Sequence, residues 1–133
     1  MRTKPCLTSA DARQMLAACL AEAEQNGWKV TIAIVDDAGV PLSLERMDGA
    51  PAISATVAPE KAKASALTKQ PTKFWEDRVK EKPAFVTFPS GGVLFQGGLP
   101  IMHQGECVGA IGVSGVQSHE DEQVAQAGIS ALG

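Results

Sequence analysis

The feature that most constrains the fold is a glycine-rich stretch that runs from Gly97 to Gly115. Two apolar segments, 99–103 and 107–114, flank Gln104-Gly105, and this pattern predicts a β-hairpin. Small residues dominate the second segment, which lowers its intrinsic stability as a strand and usually indicates that something packs very closely against it. We therefore expect the hairpin to form a close-packed wall of a pocket or of a subunit contact.

The other strands are predicted from their apolar patterns. Residues 30–35 are β-branched or apolar on both faces, which is typical of a central strand covered by helices. After a turn at 36–39, residues 41–46 alternate and are expected to form the return strand, with Leu42 and Leu44 on one face. Alternation in the second strand of the glycine-rich hairpin predicts one face made of Cys107, Gly109, Ile111 and Val113, and another made of Val108, Ala110, Gly112 and Ser114.

Helices are marked by their caps and by proline. A capping box of Thr8 and Asp11 begins a helix that Asn26-Gly27 ends. A helical turn at 53–57 precedes a helix that runs from 60 to about 68 with Pro59 at its beginning, and Pro71 starts a third helix. A loop at 85–92 and a short strand at 93–95 lead into the glycine-rich hairpin. Ser118 and Asp121 form a second capping-box pattern at the start of the last helix.

This order of elements predicts the fold class. Hairpins on both sides of a helical insertion indicate an α+β fold with a mostly antiparallel, five-stranded sheet flanked by helices. A chain of 133 residues is long enough for one hydrophobic core, so we expect a single domain over residues 1–133.

Composition excludes several classes of partner. A net charge of −3 and an aromatic content of 5% argue against nucleic-acid binding, which needs clustered basic residues and benefits from aromatic stacking. No apolar run is long enough to form a signal peptide or to span a bilayer, so no membrane association is expected. Cys6, Cys19 and Cys107 are odd in number and lack a CxxC spacing, which favours a reduced, cytoplasmic protein.

Several stretches resemble the GlcG/HbpS family of small haem-binding proteins. The most specific match runs from Gly97-Gly98-Leu99-Pro100 through Gly109-Ala110-Ile111-Gly112-Val113-Ser114-Gly115. Further matches are Ile34-Val35-Asp36-Asp37-Ala38-Gly39, Glu45-Arg46-Met47-Asp48-Gly49-Ala50, Lys61-Ala62, and Asp121-Glu122 followed by Ala125 and Gly128. The resemblance covers the chain from about residue 8 to residue 132.

The resemblance implies a profilin-like sheet with flanking helices and a homo-oligomer, from a dimer to an octamer. Some members bind haem, a related domain occurs at the end of corrinoid adenosyltransferases, and other members are encoded near catabolic pathways. It therefore implies a small-molecule ligand, with haem or a related tetrapyrrole as the leading candidate. The related adenosyltransferase domain uses a helical histidine for haem, whereas the helix over 8–26 contains none.

The candidate site residues each have two interpretations. His103 is a candidate iron ligand and a candidate acid or base, or else an exposed residue beside a turn. Arg46 and Asp48 form an anion clamp or a local ion pair. Lys61 either points its ammonium into a pocket, where it holds a carboxylate, or extends it to water.

Two functions follow from these residues. In the first, Arg46 or Lys61 meets a haem propionate, and the small-residue face of the last strand, which includes Ser114, admits the flat macrocycle. Gly97 and Gly98 either supply backbone conformations closed to other residues or let their amides approach an anionic group, and Pro100 is a further ligand-binding candidate. In the second, the protein is a cofactor-independent isomerase, hydrolyase or decarboxylase. Lys61 and Arg46 then bind a small carboxylate, and His103 or Asp48 moves a proton. A third interpretation assigns the hairpin to subunit assembly.

Overall fold

The computed structural model describes residues 1–132, so the last residue of the predicted domain lies outside the description. Within these residues the helices are α1 (Ser9–Gln25), α2 (Ser54–Thr68), α3 (Thr72–Glu81) and α4 (Ser118–Ala131), with a 3-10 helix at Pro83–Thr87. The strands are β1 (Thr31–Asp36), β2 (Pro41–Arg46), β3 (Gly98–His103) and β4 (Glu106–Ser114). None of the described helices has the length and apolar content needed to cross a membrane.

The four strands described form one antiparallel sheet in the order β2-β1-β4-β3. The α+β class and the antiparallel pairing are thus confirmed, but the prediction of five strands is wrong. The segment 93–95, for which the sequence predicts a strand, does not pair with the sheet. It is too short to bury a face of its own, and it follows Gly91-Gly92 without a ladder partner.

Helices cover both faces of the sheet. On one face, α1 and α4 pack on a cluster of large aliphatic side chains that includes Ile32, Ile34, Ile111 and Val113. On the other face, α2 packs on a smaller cluster of Ala33, Val35, Ala58, Ala62, Ala66 and Ala110. Successive residues of β1 point in turn to one cluster and then to the other, and the same holds for most of β4. This explains why β1 is apolar at nearly every position.

Helix α2 differs from the predicted pair of segments because it continues through Pro59. Proline removes a single intrahelical hydrogen bond at this position. Ala58, Ala62 and Ala66 recur every four residues and are buried against the sheet on either side of the proline. Packing of this alanine stripe therefore keeps the helix continuous where the local sequence favours a break.

Two β-bulges overturn the predicted strand faces. In the ladder between β1 and β2, Ile34 pairs with Ser43 and Val35 pairs with Pro41. Leu42 is therefore the extra residue and has no partner on β1. Leu42 consequently packs on the large-aliphatic cluster, whereas Leu44 lies opposite Ala33 and is 46% exposed. A bulge adds one residue and so exchanges the faces of the residues that follow it.

The second bulge lies in the glycine-rich hairpin. Ile101 pairs with Gly109 and Met102 pairs with Cys107, so Val108 is the extra residue. Val108 joins the large-aliphatic cluster, while the Cys107 thiol lies 3.9 Å from the carbonyl oxygen of Ala66 on α2. Cys107 and Val108 thus lie on the faces opposite to those predicted.

The two capping boxes have different outcomes. Thr8 caps α1, and its hydroxyl and backbone exchange hydrogen bonds with Asp11, as predicted. At α4 the capping box is formed by Gln117 and Glu120, one residue before the predicted pair. Asp121 is therefore free to make the interactions described below.

Candidate functional site

Lys61 is buried at one end of the sheet, with its side chain 3% exposed. Its ammonium donates to the carbonyl oxygen of Val113 at 2.9 Å and to Oδ2 of Asp121 at 3.1 Å. The Asp121 carboxylate also accepts the amide N–H of Val116 at 3.2 Å through Oδ1. The side chain therefore neither reaches water nor presents a free ammonium, and instead joins α2 to β4 and α4.

The role of Asp121 in the ion pair is not predicted from the sequence, because the pattern of Ser118 and Asp121 assigns Asp121 to the cap of the last helix. Burial raises the pKa of its carboxyl group, and the nearby Lys61 ammonium opposes that rise. A sequence signal does exist: a lysine on an alanine-rich helix face is rarely buried unless it is paired. That signal predicts a partner for Lys61, but not which of the carboxylates it is.

Gly97 and Gly98 lie against this ion pair and helix α2. A Cβ atom at Gly97 would lie 2.8 Å from Nζ of Lys61, and its φ of 130° already disfavours other residues. A Cβ at Gly98 would lie 2.6 Å from the carbonyl oxygen of Lys61, and the Gly98 amide donates to Thr72 at 2.9 Å. Both glycines therefore accommodate protein atoms of the same chain.

The predicted macrocycle-binding face of β4 is filled by α2. A Cβ at Gly112 would lie 2.1 Å from the carbonyl oxygen of Ala58 and 2.5 Å from the amide nitrogen of Ala62. Pro100 lies opposite Ala110 on the edge strand β3 and is half-buried. The small side chains admit a helix backbone at close range, so no flat ligand enters between β4 and α2 in this structure.

Arg46 and Ser114 lie at the same end of the sheet as Lys61. Arg46 on β2 and Ser114 on β4 both pair with Thr31 on β1, so the three residues form one row across the sheet. Arg46 and Asp48 are exposed, and in the described part of the chain no salt bridge joins them. The local ion pair considered for them is therefore not formed. Asp48 lines a shallow cleft with Glu24, Lys29, Glu45 and Met47.

His103 lies at the opposite end of the sheet. It is paired with Glu106 at the start of β4, seven residues before Val113, where Lys61 binds. The rise of a strand places these ends about 20 Å apart. His103, Lys61 and Asp48 consequently do not converge on one site within a single chain, and neither do His103 and Arg46.

The surroundings of His103 are mixed in polarity. The exposed His103 shares a cavity of about 140 Å³ with Pro5, Cys6, Leu7, Asp11, Val108 and Leu132. Hydrogen bonds from Thr8 lower the pKa of Asp11, and His103 adds a small contribution in the same direction. No group of three His, Cys, Asp or Glu side chains that could hold a metal ion occurs within residues 1–132. His119, the other histidine, is also exposed.

A larger apolar cavity lies beside α3. It has a volume of about 410 Å³ and is lined mainly by Val79, Val86, Val93, Leu94 and Phe95, with Glu76 and Lys80 at its margin. Phe95 is 57% exposed and Val86 is 68% exposed. This cavity falls within the range of small-molecule pockets, which the cavity beside His103 does not.

The sheet with α2 on one face and α1 and α4 on the other defines a small α+β domain with ligand-sized cavities outside its core. Residues 7–130 match the family described as "Haem degrading protein HbpS-like". The chain belongs to this HbpS-like family, which confirms the resemblance seen in the sequence.

Individual relatives agree with this assignment. Protein GlcG of Escherichia coli (strain K12) is 42% identical over 115 residues, covering 86% of this chain and 85% of GlcG. The crystal structure of a double mutant of Streptomyces reticuli HbpS has a TM-score of 0.92 at 34% identity and covers 100% of this chain and 91% of that one. The crystal structure of a PduOC:heme complex has a TM-score of 0.88 at 28% identity, with 96% coverage of both chains.

Proposed function

We propose that this protein binds a small ligand and that the ligand is haem or a related tetrapyrrole. The observation that carries the proposal is the exposed imidazole of His103 at a cavity that is partly lined by apolar side chains, in a fold that a haem complex shares over 96% of the chain. Family membership supports the same ligand, because the family is described as haem degrading.

The residues beside His103 fit part of what a haem requires. A neutral imidazole nitrogen is a common iron ligand, and Leu7, Val108 and Leu132 offer an apolar surface to the porphyrin. The cavity of about 140 Å³ encloses only part of such a ligand in one chain. When bound, the haem supplies an iron centre with an exchangeable ligand position.

Titration with haemin tests the proposal. We expect a stoichiometric shift of the Soret band in the wild-type protein, loss of that shift in His103→Ala, and its retention in the matched control His119→Ala. Absence of a stoichiometric shift in the wild type rules out haem. A shift that survives His103→Ala but is lost in Leu94→Asp assigns the macrocycle to the apolar cavity beside α3 and overturns the role of His103.

We also propose that the chain forms a homo-oligomer in the cytoplasm. Exposed apolar side chains are concentrated beside α3, where Val86, Phe88 and Phe95 are exposed within ten residues of one another. Exposed apolar surface of this kind favours association. The described cysteines are free thiols, which suits a reducing compartment. Sedimentation velocity tests the oligomer, and a monomer at micromolar concentration contradicts it.

The alternative enzyme receives no support from the geometry of one chain. Acid–base catalysis needs its groups within hydrogen-bond reach of a common substrate. Lys61 is engaged with Asp121, and His103 lies at the far end of the sheet. Ligand binding is therefore the function that the arrangement favours.

A further inference from the structure

The segment over residues 1–7 crosses the end of the sheet where both strand turns lie. Arg2 forms a salt bridge of 2.7 Å with Glu106, the first residue of β4 after the turn between β3 and β4. Lys4 forms a salt bridge with Asp37 in the turn between β1 and β2. Each ion pair thus joins a cation of the segment to a carboxylate of one of the two hairpins.

This segment is held loosely except at its last residue. In the described chain, residues 1–7 make no backbone–backbone hydrogen bond to the rest of the molecule. Arg2 is 77% and Lys4 is 55% exposed in these pairs, and exposed ion pairs contribute little and weaken with salt. Leu7, in contrast, packs on the large-aliphatic cluster, immediately before the cap of α1.

The same segment forms a wall of two cavities on opposite faces of the sheet. Pro5, Cys6 and Leu7 line the cavity that contains His103, on the side of α1 and α4. Arg2 and Lys4 line a cavity of about 230 Å³ that contains Cys107 and Lys69, on the side of α2. Because one segment borders both cavities, its displacement changes access to both.

We propose that residues 1–6 act as a strap hinged at Leu7, whose release opens the cavities of His103 and Cys107 together. The two ion pairs hold the strap against the sheet, and Leu7 stays packed on the large-aliphatic cluster when the strap is released. A ligand that enters beside His103 displaces Pro5 and Cys6, and thereby uncovers Cys107 on the other face. The inference rests on the position of the segment and does not require that the ligand be haem.

Alkylation of Cys107 by iodoacetamide, followed by mass spectrometry, measures the opening. The background is Cys6→Ser, which removes the exposed thiol, and the test variant adds Arg2→Ala and Lys4→Ala. The matched control adds Lys73→Ala instead, which breaks an exposed ion pair with Asp77 on α3. The buried Cys19, whose pKa is raised by burial to about 12, serves as an internal reporter of global unfolding.

We expect the strap variant to alkylate Cys107 about three- to tenfold faster than the background at low salt, since two weak ion pairs are removed. The Lys73→Ala control is expected to match the background, and added salt is expected to raise the background rate. An unchanged rate in the strap variant overturns the proposal. A rise that Cys19 shares also overturns it, because global unfolding then explains the exposure.

Discussion

The two faces of the sheet are packed in different ways. On the side of α1 and α4, branched side chains such as Ile32, Ile111 and Val113 fill the space between the layers. On the side of α2, the sheet presents Ala33, Ala110 and Gly112, and the helix presents alanine. One face is separated from its helices by side chains, while the other comes close to backbone-to-backbone contact.

This difference explains where polar groups and cavities lie. The close contact with α2 leaves no room for a ligand, but it brings the Lys61 ammonium to a strand carbonyl and to Asp121. The cavities instead lie at the ends of the sheet and beside α3. Small residues in the hairpin thus allow α2 to pack closely on the sheet.

The largest effect is expected at the Lys61–Asp121 pair, which fixes α2 to α4. Lys61→Met leaves a buried carboxylate without its cation, and removal of one partner from a buried pair costs about 3–5 kcal/mol of unfolding free energy. The double variant Lys61→Met/Asp121→Asn removes both charges and is expected to recover most of that loss. Urea unfolding at pH 7 measures each value.

The pH dependence of Lys61→Met has a defined sign. Burial raises the pKa of Asp121, and without Lys61 nothing on α2 opposes that rise. A raised pKa in the folded state means that stability is present below the ordinary carboxyl pKa and is lost as pH rises through the folded value. Lys61→Met is therefore expected to be less destabilised at pH 4 than at pH 7. Equal losses at both pH values contradict this account of the site.

The next effect compares the two faces directly through neighbouring residues of β4. Gly112→Ala adds one methyl group against backbone atoms of α2 and is expected to cost about 3 kcal/mol. Ile111→Val removes one methyl group from the other face and is expected to cost about 1 kcal/mol. Urea unfolding of the two variants tests the comparison. A cost for Gly112→Ala no larger than that of Ile111→Val shows that α2 shifts freely and that the contact is not rigid.

The smallest effect is expected at the capping box of α1, which covers the large-aliphatic face. Hydrogen bonds from Thr8 lower the pKa of Asp11, so its stabilisation is present above the ordinary carboxyl pKa and is lost as pH falls through the folded value. Asp11→Ala is expected to lower the melting temperature at pH 7 and to make no difference near pH 2. A difference that persists near pH 2 shows that the carboxylate charge is not responsible.

Local signals in the sequence predict the elements that local interactions determine. The capping box of Thr8 and Asp11, the end of α1 and the strands β1 and β2 lie close to the predicted positions. Interactions between distant residues are not predicted in this way. The sequence pattern assigns Asp121 to the cap of α4, but Lys61, 60 residues earlier, binds it, and the capping box lies one residue earlier.

Bulges account for most of the remaining differences. Periodicity assumes an uninterrupted ladder, and one extra residue at Leu42 or at Val108 reverses the faces that follow. The candidate site depends on three-dimensional distances in the same way. The chemistry of their side chains suggests that Arg46, Lys61 and His103 belong to one site. In the structure, the length of β4 separates His103 from the other two residues.

The close contact at Gly112 also bears on how proteins of this kind are classified. Within the stretch from Gly97 to Gly115 that resembles the family, Gly97, Gly98 and Gly112 are the glycines that let α2 approach the sheet. These glycines therefore reflect the distance between α2 and the sheet and carry no information about the molecule that the chain binds. Subdividing the relatives by ligand calls instead for comparison of the side chains at the ends of the sheet, starting with the position of His103.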